Sequence, residues 1–213
     1  MIQFTRFALV VLASTVVFVA PAGAQQRMRG GVRVGSVTPA RLLVVDTVQA
    51  ELKLSDEQKK KVSEINETLT KGRRELFQKV AKESRERTEK VAELDKNADA
   101  SVKELLSAEQ EKRLGELLLQ VNGASELLKK DVADALDITE DQHKKLAEAN
   151  RANARSRKEA LEKFEGDRQA KTAELKQDED KQLLAVLTDE QKKKFEEMQG
   201  KKIAIKIFAS QNN

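Results

Sequence analysis

From residue 42 onward, apolar residues recur at spacings of three and four. Val62, Ile65, Leu69, Leu76 and Val80 form one stripe, and Val91, Leu94, Ala98, Val102 and Leu105 form a second. Between them lies AKESRERTEK, which is polar on all sides. The period is that of an α-helix with one buried face. A single continuous rod would leave both stripes without a partner. A turn near Ala81–Glu86 would fold one stripe onto the other as an αα-hairpin, and this is the favoured reading. A second region repeats the pattern more thinly: Leu146, Ala149, Leu161 and Phe164 are set to face Ala173, Leu183 and Leu184. Glu165-Gly166-Asp167 there supplies a stop and a new N-cap. Cores this small are marginal unless they pack against something else.

A five-residue pattern punctuates these stripes four times: Leu54-Ser55-Asp-Glu-Gln58, Leu106-Ser107-Ala-Glu-Gln110, Ile138-Thr139-Glu-Asp-Gln142 and Leu187-Thr188-Asp-Glu-Gln191. Ser or Thr is the N-cap, accepting from backbone N–H groups that have no helical partner. The Gln three residues on reaches back to the N-cap N–H, completing a capping box. Acidic residues in the first turn face the positive end of the helix dipole. Seven residues after each cap stands an apolar residue: Val62, Leu114, Leu146 and Phe195. The staple position holds Lys59, Glu111, His143 and Lys192, so no hydrophobic staple forms.

Copies one and three are 84 residues apart, and copies two and four are 81 apart. Val48, Leu52 and Leu54 align with Val132, Leu136 and Ile138; Leu114 and Leu117 align with Phe195 and Met198. The chain is therefore an internal duplication, with helical units over 42–124 and 125–208 and a short tail at 209–213. Asn122-Gly123 and Gly200 read as helix C-caps at equivalent places.

Ahead of the units, Arg6 precedes an apolar run from Phe7 to Ala20, Pro21 breaks it, and Ala22-Gly23-Ala24 fits an A-x-A cleavage site. Residues 1–24 therefore read as a signal peptide cleaved after Ala24. The run falls short of the roughly 20 residues that a membrane span needs. A periplasmic or secreted location follows as an expectation. Residues 25–41 read as a basic, flexible linker without apolar periodicity. Five of the 40 basic residues (Arg6, Arg27, Arg29, Arg33 and Arg41) precede residue 42, which leaves 35 against 36 acidic residues. The pI of about 9.1 thus reports a basic arm and not a basic domain. Such an arm suits contact with an anionic envelope surface, or is simply a solvated tether.

Composition narrows the class further. Charged residues make up 36% and aromatics 3%; there is no Trp, Tyr or Cys, and there is one His. Strand-rich folds want β-branched and aromatic residues at even spacing, so the expected fold is all-α. The groups that usually move protons, bind metals or act as nucleophiles are nearly missing, and no catalytic, cofactor-binding or metal-ligating residue is assigned. His143 with Glu140 is an i, i+3 pair that lacks the second pair a di-metal site needs. Nucleic-acid binding would want interleaved aromatics or a domain-wide positive field. Lys59-Lys60-Lys61 and Lys192-Lys193-Lys194 read first as solvated faces paired with acids one turn away. Ile203-Ala-Ile-Lys-Ile207-Phe208 alternates like a strand with no obvious partner, either packing back on the helices or exposed.

The four motifs resemble the LTXXQ signature of the Spy/CpxP family of bacterial periplasmic proteins. The resemblance spans residues 42 to about 200. It implies thin, elongated helical hairpins, a concave face that holds unfolded clients without ATP, and dimer pairing. With four motifs in one chain, the duplication implies a fused pseudo-dimer or two separate beads, acting as a monomer or homodimer. The leading expectation is an extracytoplasmic holdase or stress-response binder for unfolded or partly folded proteins. The alternative is a non-catalytic scaffold or a regulatory partner bound to one fixed envelope protein. Phe77, Val80 and Phe164, beside the expected hairpin turns, are the candidate client-binding residues; the competing reading is that they cap the hairpin cores.

Overall fold

The computed structural model describes residues 37–80 and 84–205. These belong to one compact unit, Val32–Asn213. The leader and most of the basic linker, like Ile207, Phe208 and the tail at 209–213, lie outside the described residues. The described chain is all-α and contains no strand: α1 (Pro39–Leu42), α2 (Asp46–Glu51), α3 (Asp56–Lys79), α4 (Arg85–Leu105), α5 (Ala108–Asn122), a 3-10 turn (Gly123–Leu128), α6 (Lys130–Ala135), α7 (Glu140–Glu162), α8 (Arg168–Leu184) and α9 (Asp189–Met198).

The duplication is visible helix by helix. α2 and α6 begin 84 residues apart, as do α3 and α7, while α5 and α9 begin 81 apart. Even the strained positions repeat. Lys53 and Asp137 have φ of 51° and 53°, and each closes a Schellman end: Leu54 N donates to Gln49 O, and Ile138 N to Ala133 O. The first residue of motifs one and three is therefore the apolar residue that finishes one helix just before the N-cap of the next. The glycines do not repeat so closely. Gly123 directly caps α5, whereas Gly200 lies one residue beyond the cap of the shorter α9. The places expected to be equivalent differ by about one helical turn.

α3 folds back on α4, and α7 on α8, as hairpins rather than rods. Ser84 Oγ caps α4 through the Arg87 N–H, and Asp167 Oδ1 accepts from the Ala170 N–H at the start of α8. The apolar residue two turns into each motif helix is buried: Val62, Leu114, Leu146 and Phe195. Two cores result. The first gathers Leu42, Leu43, Val48, Leu69, Val102 and Leu117; the second gathers Leu127, Val132, Leu136 and Leu183 around Leu146. α5 is the shared wall, since Leu118 faces the first core and Leu119 the second.

Two sequence expectations need correction. The last residues of the expected linker are folded: Thr38 caps α1, Pro39 occupies its first turn, and Val37 and Ala40 are buried in the first core. A four-residue helix has no periodicity to show, so only its neighbours reveal it. Ala173, expected to face the second core, is exposed on α8.

The join between the halves is polar and tightly bonded. Asn122 pairs through its side-chain amide with both Val37 N (2.8 Å) and Val37 O (2.9 Å), and donates to Glu126. Glu126, itself buried, receives Lys129 at 2.6 Å. From α8, Lys176 donates to Asn122 O and Asp180 accepts from Ala124 N. Gly123 sits at φ 62°, and a Cβ there would lie 2.6 Å from the Asp180 carboxylate. Any side chain at 123 would cost both the left-handed backbone and this contact.

Candidate functional site

All four capping boxes are formed. In each, the Ser or Thr hydroxyl accepts from the Gln backbone N–H and the Gln side chain accepts from the N-cap N–H. The structure then adds an arrangement that local capping does not require. Gln58 Nε2 donates to Gln110 Oε1 at 2.8 Å, and Gln110 Nε2 returns to Gln58 Oε1 at 3.2 Å. Gln58 also donates to Leu105 O, and Gln110 to Leu52 O. In the second half Gln142 and Gln191 exchange the same two bonds, at 2.6 and 3.1 Å, and donate to Val186 O and Leu136 O. Each glutamine thus caps its own helix with its oxygen and clasps the opposite motif with its nitrogen. Motif one pairs with two, and motif three with four. The clasp explains why the third helical position is Gln in every copy. Glu could complete the box but could not donate across it.

Further along each hairpin lies a charged rung. Arg73 of α3 pairs with Asp95 of α4, and Arg157 of α7 with Glu179 of α8 at 2.7 Å. The two arginines are 84 residues apart, so the repeat offset could have shown them. The rungs are imperfectly satisfied: Arg73 Nε, Asp99 Oδ1, Asn153 Nδ2 and Glu179 Oε1 are buried without a hydrogen-bond partner. Burial, with the charge of Asp95 one turn away, pushes the Asp99 carboxyl up to about 6 against the pull of Lys129. Burial likewise raises Glu179, outweighing Arg157.

The two hairpins differ where it matters for binding. Between α3 and α4 runs a groove of about 290 Å³ lined by Glu64, Ile65, Thr68, Leu69, Leu94 and Ala98, with Asn97 and Ser101 at its edge. At the duplicated positions of the second hairpin Ile65 becomes Ala149, Leu69 becomes Asn153 and Ala98 becomes Glu179. Asn153 is buried there. The first hairpin keeps an apolar groove, and the second fills the same place with polar side chains.

The three candidate residues at the hairpin turns do not come together. Phe77, in the last turn of α3, is 55% exposed, and the Arg87 guanidinium lies 4.1 Å over its ring. Val80 is half-buried. Phe164 is half-buried as well, its ring lying over the backbone of Gly166 in the α7–α8 turn. Of the three, Phe77 alone offers an open aromatic face, and Phe164 closes its own turn.

Other sequence features find local roles. Lys59 pairs with Asp56, Lys61 with Glu57, Lys192 with Asp189 and Lys194 with Asp137. Exposed pairs of this kind contribute little to stability. Among the described residues no three His, Asp or Glu side chains converge as a metal-binding group, and no helix is long and apolar enough to cross a membrane. Comparison with protein-family models, with curated proteins and with solved structures finds no match to this chain.

Proposed function

We propose that the protein is an extracytoplasmic, ATP-independent holdase related to the LTXXQ periplasmic proteins, binding unfolded or partly folded chains without catalysis. The observation that carries this reading is the asymmetry of the duplication. The first hairpin combines an open apolar groove with the exposed Phe77, while the second replaces the groove with polar residues. A surface that keeps apolar side chains accessible has a use for them in binding. The reciprocal glutamine clasps support the family assignment, because they give the spacing between Ser/Thr and Gln in each motif a purpose beyond one helix end. The extracytoplasmic location rests on the leader-like residues 1–24. The fused pseudo-dimer is part of the same proposal, each half standing for one two-motif partner.

The test is suppression of client aggregation by the chain beginning at Gln25. Phe77→Ser should weaken suppression and leave the thermal midpoint unchanged, because the ring is mostly solvated. Phe164→Ser should instead lower the midpoint. If Phe77→Ser suppresses aggregation as well as the native chain, clients do not use this surface. If the native chain suppresses nothing, the holdase reading fails.

A further inference from the structure

Beyond α9 the chain leaves the helix through Gly200, at φ 60°, and crosses to the first half. Residues 202 to 205 alternate: Lys202 and Ala204 are exposed, while Ile203 and Ile205 are half-buried against the first core. The alternation expected from sequence therefore has its partner, and the partner is the other repeat. The backbone is gripped from α5. Arg113 donates to Lys201 O at 2.6 Å, Gln120 donates to Gln199 O and Lys201 O at 2.6 and 2.9 Å, and Ile203 N donates to Gln120 Oε1 at 3.2 Å. Arg113 is held in place beforehand by Glu51 and Glu116.

These contacts read main-chain amides and two apolar side chains two residues apart. None of them reads a polar side chain of the strap, and none requires the strap to be joined to α9. Main-chain hydrogen bonds that give affinity, with apolar sites at alternate positions, are how proteins capture extended peptides. We propose that α5 carries a docking strip for extended segments with large apolar residues at alternate positions. The protein's own Lys201–Ile205 strap occupies it and competes in cis with a segment of another chain. This goes beyond the holdase reading and does not depend on it, since the strip lies on α5 and not in the hairpin groove. Tethering gives the strap an effective concentration in the millimolar range, so a free peptide must outcompete it.

The test uses the full chain and a fluorescein-labelled peptide with the sequence of Gln199–Ile205. Ile203→Ser with Ile205→Ser removes the strap's anchors and leaves the helices untouched. The peptide should bind this variant about ten-fold tighter than the native chain, the ratio expected when a tethered competitor is lost. Adding Gln120→Ala to the variant should reverse that gain, and a peptide with both Ile replaced by Ser should not bind. Equal affinity for native chain and variant, or binding indifferent to Gln120, overturns the proposal. A readout on the native fold guards against a variant that unfolds. Hydrogen exchange at the Ile203 amide of the unaltered chain should quicken when unlabelled peptide is added in excess, and unchanged exchange overturns the strip equally.

Discussion

Replacing Gln110 by Glu separates capping from clasping, because the two roles use different atoms. Gln110 Oε1 accepts from Ser107 N at 3.0 Å and from Gln58 Nε2 at 2.8 Å, and a carboxylate oxygen can keep both bonds. Gln110 Nε2 donates to Leu52 O at 3.1 Å and to Gln58 Oε1 at 3.2 Å, and a second carboxylate oxygen would face two acceptors there. Gln58 cannot simply turn over, because its Oε1 also accepts from Ser55 N in its own capping box. Two lost hydrogen bonds cost about 1–3 kcal/mol. The new charge at a helix start returns about 0.3–1 kcal/mol. A net loss of about 2 kcal/mol follows, or about 4–8 °C for a domain of this size. Urea unfolding followed by circular dichroism at pH 7 measures it. The penalty should then shrink on acidification. Facing two acceptors raises the folded-state pKa of the introduced carboxyl, so the destabilisation is present above that pKa and is relieved as the group protonates and can donate to Leu52 O. Gln191→Glu should behave alike in the second clasp, and the two losses should add because they lie in separate cores. If Gln110→Glu unfolds like the native chain, the clasp contributes nothing and the reasoning is wrong.

Two further outcomes test other parts of the structure. Ser55→Ala and Thr139→Ala each remove one N-cap bond and should cost roughly 0.5–2 kcal/mol, read as a shift in the urea midpoint; caps that melt like wild type would contradict the geometry. Asp99→Asn should stabilise the protein at pH 7.5 by about 1 kcal/mol, a figure discounted for partial exposure. The Asp99 carboxyl is raised from 3.8 to about 6, so its penalty is full above pH 6 and disappears as pH falls toward 4. The stability difference between variant and native chain should therefore narrow between pH 7.5 and pH 4.5, and a difference that stays constant refutes the role of Asp99.

The all-α class, the duplication and the four helix starts were legible because each depends on residues close in sequence. A Ser or Thr followed three residues later by Gln encodes a capping box within one turn, and Val62, Leu114, Leu146 and Phe195 follow at fixed spacing. The hairpin turns were legible for a related reason, since two apolar stripes on consecutive helices must bury each other. What pairs with what was decided by tertiary structure. Nothing in one motif names its partner, so the clasp of Gln58 with Gln110, and of Gln142 with Gln191, appears only when helices some fifty residues apart are brought side by side. Val37 and Ala40 looked like linker because their burial comes wholly from other elements. Phe77 and Phe164 stood at comparable turns in sequence, yet one ring is left open beneath Arg87 and the other lies over Gly166. The strap's alternation was plain from residues 203–205, but a strand-like pattern specifies a face and not what covers it. Its partner proved to be α5, whose Arg113 and Gln120 reach main-chain atoms that carry no sequence signature.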